Sequence, residues 1–178
     1  DHATARPFSD ELRGTVTTSA MDRRGRGASG DGPDYAIERE FEDVAAVVDA
    51  VAARTGQAVS VWGHSYGADC GIGAAALTGN LACLVLYEPG LGLASSAGVL
   101  EAVEAIDDAV AAGDFEGALL TALRDIVELT DDEVAVVRAT PGWPPRLAAV
   151  PRLPREVRAE LDWTYRPGQF DTVTARTL

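Results

Sequence analysis

Val59-Ser60-Val61-Trp62-Gly63-His64-Ser65-Tyr66-Gly67-Ala68 decides how this chain is read. A short apolar run leads into Gly-x-Ser-x-Gly, and a helix of small residues follows, from Ala68 through Leu77. The pattern predicts a nucleophile elbow, with Ser65 at a sharp strand-to-helix turn of strained backbone. Such a turn requires tiny residues two before and two after the serine, and Gly63 and Gly67 supply them. A helix starting there aims its first-turn N–H groups and its positive dipole end at the place where an oxyanion would form, with the Tyr66 N–H as first donor. The competing reading is a Gly-rich turn between a buried strand and a helix, without chemistry.

Outward from this stretch, Leu81-Ala82-Cys83-Leu84-Val85-Leu86-Tyr87 is almost continuously apolar, as in a strand covered on both faces. Upstream, Asp34 is placed to cap a helix in which Ile37, Phe41, Val44, Val48 and Val51 form one stripe. Gly56 ends that helix just before an Ala58–Trp62 strand. Thr15-Val16-Thr17-Thr18-Ser19-Ala20-Met21 reads as a further, β-branched strand, followed by the Gly-punctuated loop Asp22–Gly30. Strand, helix and strand with a right-handed crossover give parallel strands. The expected fold is α/β, a doubly wound and mostly parallel sheet.

Two separated motifs carry a resemblance. Asp22, Gly25, Gly27 and Ser29 stand in the spacing D-x-x-G-x-G-x-S, and Gly63-His64-Ser65-Tyr66-Gly67 follows one helix and one strand later. From about Asp1 to Gly92 the chain resembles the α/β-hydrolase family, in the form of a partial core that carries an inserted helical cap. The resemblance implies a hydrolase that acts through an acyl-serine intermediate on a small ester, thioester or related carbonyl substrate. Ser65 would be the nucleophile and the Tyr66 backbone an oxyanion donor. Some members place the acid where Glu88 stands, at the carboxyl end of the Leu81–Tyr87 strand, although Glu88 equally suits capping of the turn there. Members that open epoxides or displace halide carry a carboxylate at the position of Ser65, which disfavours those reactions. The family's base is a histidine after the last core strand. The chain has only His2 and His64, with His64 expected to pack under the elbow. On this reading the 178 residues are an internal fragment with little turnover of its own.

From about Ala94 the texture becomes helical. Leu100, Val103, Ile106 and Val110 form one stripe ended at Gly113, and Phe115, Leu119, Ala122, Ile126 and Leu129 form the next. Thr130 and Glu133 make a capping box for a third helix. Prolines 141, 144, 145, 151 and 154 then divide the segment. Trp143, Trp163 and Tyr165 are candidates to line a substrate pocket, or to pack a cap onto the sheet. The expected organisation is a core over 1–93, a helical cap over 94–165, and a return over 166–178 into another core strand.

The formal charge of −13 argues against nucleic acid as a partner, since phosphates call for clustered Lys and Arg. The arginines of the 22–30 loop would suit a phosphate, but no helix N-terminus follows at the required spacing. No run has the length of a membrane span and no signal peptide opens the chain, so neither a membrane nor secretion is expected. Cys70 and Cys83 read as free thiols, which favours the cytoplasm. No metal-ligand spacing and no nucleotide fingerprint occurs, so a small-molecule substrate without a cofactor is expected. The rival from another class is a non-catalytic binding protein of the same fold.

Overall fold

β-Branched and aliphatic residues over Val59–His64 (β1) and Leu81–Tyr87 (β2) form two parallel strands, with Ser60 opposite Cys83 and His64 opposite Tyr87. A third parallel strand, β3 (Arg176–Thr177), pairs with Cys83 and Leu84 to give the order β1-β2-β3. The computed structural model describes residues 1–90 and 98–178. The chain forms two compact units: unit 1 is Asp1–Gly32 with Ser95–Arg158, and unit 2 is Pro33–Ala94 with Ala159–Leu178. The expected core-to-cap boundary at 93/94 lies outside the described residues.

Unit 2 contains the sheet. Helix α2 (Ile37–Thr55) buries Ile37, Phe41, Ala45, Val48 and Ala52, the face set by the apolar stripe. It ends at Gly56 in the left-handed region, where the lack of a Cβ removes the strain. Its N-cap is Ala36, without a side-chain hydrogen bond, so Asp34 does not cap it as expected. Helix α3 (Tyr66–Ala75) lies on β1 and β2 with Gly71 against Leu84 and Val61. The Phe41 ring packs where a Cβ at Gly73 would stand. Ile37, Phe41 and Cys70 make the unit's buried cluster, with Tyr66, Ala159 and Trp163 against it. Strand β3 falls within residues 166–178.

Unit 1 is helical. It holds α1 (His2–Glu11), α4 (Val99–Ala111), α5 (Phe115–Thr121) extended by a wider turn over Ala122–Ile126, α6 (Asp131–Arg138) and α7 (Trp143–Ala149). A short turn of 3-10 helix, Val150–Arg152, leads into α8 (Leu153–Asp162), which runs into unit 2 from Ala159. Ile106, Ala118, Leu119, Ala122, Trp143 and Val150 form the core. The Thr130–Glu133 capping box is formed at α6. A second box, Asp1 with Thr4, starts α1, a helix the sequence reading did not anticipate.

The expected strand over Thr15–Met21 is not formed. Thr15 and Val16 instead donate back to the Leu12 carbonyl at 3.0 and 3.3 Å, and Val16 is exposed. β-Branching favours extended backbone only where a neighbouring strand and a buried face reward it. The parallel crossover unit observed is therefore β1-α3-β2.

The loop after this segment folds on itself. Asp22 accepts from the Ala28 N–H at 2.9 Å and from the His2 N–H at 2.8 Å, while Ser29 Oγ donates to the Asp22 carbonyl at 2.7 Å. A Cβ at Gly27, where φ is +53°, would run into the Asp22 carboxyl. Asp22, Gly27 and Ser29 thus each help to close the same loop. Burial raises the Asp22 pKa, but the N–H donors of Ala28 and His2 and the His2 ring outweigh it and bring it to about 2. A depressed carboxyl contributes stability above its ordinary value, near 3.9, that is lost as the pH falls through about 2. The Ala28 amide resonance is expected to titrate with a midpoint near 2, and a midpoint near 4 would remove Asp22 from this role.

Candidate active site

Ser65 joins β1 to α3 with φ 52° and ψ −130°, a conformation outside the regions that L-residues ordinarily occupy. It is held from both sides. Its N–H donates to the Tyr87 carbonyl at 2.9 Å, and its own carbonyl accepts the Ala68 N–H at 2.6 Å. The Ser65 side chain does not cap the helix, although serine is a favoured capping residue. Gly63 is required for space, since a Cβ there would meet the Gly67 carbonyl and lie 2.7 Å from Ala68 Cα. Gly67 faces open space, so the expectation that both flanking glycines are needed for room holds for Gly63 alone.

Tyr66 opens α3, and its side chain packs against the cluster of Ile37, Phe41 and Cys70. The Tyr66 and Tyr35 hydroxyls are 2.9 Å apart, and Tyr35 donates to Glu40 Oε1 at 2.8 Å. Because Tyr35 gives its proton to Glu40, its oxygen accepts from Tyr66, and the direction of the chain is fixed. Glu40 is fully buried on the inner face of α2. Sequence reasoning missed this relay, although a carboxylate three residues after Ile37 and next to Phe41, inside an apolar stripe, was a visible signal. Tyr35→Phe removes one hydrogen bond from each neighbour and is expected to cost about 1–3 kcal/mol in urea unfolding. No change in stability would show the relay to be incidental.

Glu88 follows β2 with φ 49°, a left-handed conformation rare for a non-glycine residue. Its Oε2 lies 3.6 Å from His64 Nε2. His64 is not packed under the turn as expected. It alternates outward with Ser60 and Trp62 along β1, is half exposed, and lies with its ring centroid 5.2 Å from that of Tyr87, the two rings tilted at 50°. His2, in unit 1, has Nδ1 2.7 Å from Asp22.

Asp69 is fully buried and accepts the Gly90 N–H at 3.1 Å. Burial pushes its carboxyl above the usual range, and the hydrogen bonds to Glu160 and Gly90 only partly offset this.

Of the three candidate aromatics, Trp143 belongs to unit 1, whereas Trp163 and Tyr165 belong to unit 2 and both lie against Phe170. Trp143 is buried in the core of unit 1. Trp163, in unit 2, meets Phe41 edge-on at 5.5 Å, and the exposed Tyr165 stacks on Phe170 at 5.8 Å. Among the described residues no three His, Cys, Asp or Glu side chains are grouped to hold a metal ion. No described helix is long and apolar enough to cross a membrane.

Residues 2–176 match the model of the alpha/beta hydrolase family. The chain is also similar to a solved structure, the crystal structure of an alpha/beta hydrolase from Sphaerobacter thermophilus DSM 20745. The two share 32% identity over 99% of this chain and 68% of that chain, with a TM-score of 0.80. No curated protein matches the chain.

Proposed function

The chain belongs to the alpha/beta hydrolase family, and from that premise we propose that it is a serine hydrolase whose nucleophile is Ser65. The observation that carries this reading is the strained backbone of Ser65 at the start of α3, with a hydroxyl left out of helix capping. A residue in such a conformation persists only where its surroundings hold it, and such strain concentrates at working sites.

In this reading the Ser65 oxygen attacks the carbonyl carbon of a small ester, thioester or related substrate while its proton passes to a general base. Negative charge on the carbonyl oxygen is met at the N-terminal end of α3, with the Tyr66 N–H as donor. The leaving group departs protonated, and water then releases the acyl group from Ser65. Glu88 is the candidate acid, beside the turn through the Ser65–Tyr87 hydrogen bond. Trp163 and Tyr165 are the candidate substrate contacts in the unit that holds Ser65, whereas Trp143 serves the core of unit 1. The free thiols Cys70 and Cys83 suit the reducing cytoplasm.

The test is a fluorophosphonate probe applied to the protein as its source makes it. Labelling is expected at Ser65, with its complete loss in Ser65→Ala. A natively folded protein that resists the probe would overturn the reading in favour of a non-catalytic binder. Glu88→Gln is expected to lower the labelling rate at least about tenfold with the fold intact, because a neutral amide holds a base in the wrong tautomer. Unchanged labelling would remove Glu88 as the acid.

A further inference from the structure

The peptide group between Ser65 and Tyr66 carries the N–H that the serine-hydrolase reading assigns to the oxyanion, and the Ser65 ψ of −130° sets the plane of that group. At its carbonyl end the group is held by backbone. The Ser65 oxygen accepts the Ala68 N–H at 2.6 Å and the Asp69 N–H at 3.3 Å. At its other end the Tyr66 Cα carries a side chain anchored outside α3. The Tyr66 ring packs on Ile37, Phe41 and Cys70, and its hydroxyl meets that of Tyr35 at 2.9 Å. Tyr35 in turn donates to Glu40 Oε1 at 2.8 Å.

The far end of this hydroxyl chain is a fixed point. Glu40 is fully buried on α2, next to Phe41, whose ring takes the place that a Cβ at Gly73 would occupy. Helices α2 and α3 are thus joined at two levels, by Phe41 against Gly73 late in α3 and by the hydroxyl chain at its first residue. Packing of a ring leaves its tip free to slide, whereas a hydrogen bond weakens steeply with distance and angle and so fixes the tip. A strained backbone such as that of Ser65 persists only where its surroundings over-determine it, and the hydroxyl chain is a tie from outside the turn.

We propose that Tyr35 and Glu40 are positioning residues for the oxyanion donor: through the Tyr66 phenol they fix the Ser65–Tyr66 peptide, so that its N–H stays aimed at the charge that develops beside Ser65. The proposal deepens the serine-hydrolase reading and rests on it for its consequence in activity. A donor stabilises a transition state most when it needs no reorganisation as the charge appears. The middle of such a chain requires a hydroxyl, which donates and accepts at once, and a phenylalanine ring there does neither. Loosening the donor slows the step in which the bond to Ser65 forms and leaves binding of an uncharged reagent nearly as it was.

The test resolves the fluorophosphonate reaction of the protein, as its source makes it, into a maximal rate and a half-saturating concentration, at a temperature where every variant is folded. Tyr66→Phe removes the last bond of the chain and leaves Tyr35 on Glu40, so the buried carboxylate keeps its donor. Its maximal rate is expected to fall at least about tenfold with half-saturation changed less than about twofold, and Tyr35→Phe is expected to match it. Glu40→Gln keeps an acceptor oxygen for Tyr35 without the charge and is expected to recover most of the wild-type rate. Wild-type rates in both phenylalanine variants, a change confined to half-saturation, or a Glu40→Gln rate as low as that of Tyr35→Phe overturns the proposal. A second readout needs no reactivity. Hydrogen exchange of the Ala68 amide, which donates to the Ser65 carbonyl, is expected to quicken at least about fivefold in Tyr66→Phe relative to the Val48 amide in the middle of α2. A wild type that never labels, yet shows this change in exchange, sinks the serine reading and upholds the hold on the peptide. Labelling of the wild type with neither change in the variants does the reverse.

Discussion

Glu156→Ala is expected to destabilise unit 1 by about 3–5 kcal/mol, because it strips the counter-charge from two guanidiniums held largely out of water. Glu156 is 3% exposed and Arg23 and Arg26 are each 15% exposed. Arg26 grips the carboxylate with both Nε, at 2.8 Å, and Nη2, and Arg23 adds a bond at 3.1 Å. Two buried cations on one anion are costly once the anion is gone, and Glu156→Gln, which keeps an acceptor oxygen and the volume, is expected to cost less. Arg23→Ala should cost less still, since the bidentate Arg26 contact survives it. The pH dependence has a definite sign. Burial alone raises the Glu156 pKa, but the Arg26 hydrogen bonds and the two positive charges outweigh it and hold the group below its ordinary value. The stability it contributes is therefore complete above about pH 4.3 and is lost as the pH falls through the depressed value. Trp143 is the one tryptophan of unit 1, so in a Trp62→Phe, Trp163→Phe background its fluorescence reads this unit alone during urea unfolding. A loss below about 1 kcal/mol would show that the pair is solvated and contributes as little as a surface bridge.

The same cluster shows where sequence reading stops. Arg23, Arg24 and Arg26 were visible as a basic loop, but the partner of two of them lies 130 and 133 residues away on α8, and no local pattern announces it. What was legible was local. The Ser65 turn follows from Gly63 and the small residues of α3, the buried face of α2 from spacings of three and four, the end of α2 from Gly56, and the α6 cap from Thr130 and Glu133. Thr15–Met21 failed for the opposite reason. Its composition favours an extended chain, yet a strand exists only where another strand pairs with it. Asp69 and Glu40 belong to a middle class. Each was conspicuous as an acid among apolar or small neighbours, while the Gly90 N–H and the Tyr35 hydroxyl, which donate to them, became visible as partners only with the fold.

Gly63→Ala is expected to abolish the reactivity of Ser65 by about a hundredfold or more, and to do so through a single methyl group. The added Cβ would meet the Gly67 carbonyl and lie 2.7 Å from Ala68 Cα. Both are backbone atoms in the first turn of α3, so neither can swing aside as a flexible side chain would. The clash is relieved only by moving the end of β1 or the start of α3, and Ser65 lies between the two. A displacement near 1 Å at a reacting atom costs on the order of a hundredfold. Overpacking against backbone should also cost about 1–3 kcal/mol of stability. Gly67→Ala is the matched control, since that position opens onto free space within an α-helix. Replacing glycine there is expected to leave labelling within about twofold and to raise stability by about 0.5–1 kcal/mol, through helix propensity and a less disordered unfolded chain. The contrast separates a steric demand at Gly63 from a general preference for small residues. Equal labelling rates in the two variants would mean that the close approach of β1 to α3 does not set the position of Ser65, and the account of the turn would have to be rebuilt on the Ser65–Tyr87 hydrogen bond alone.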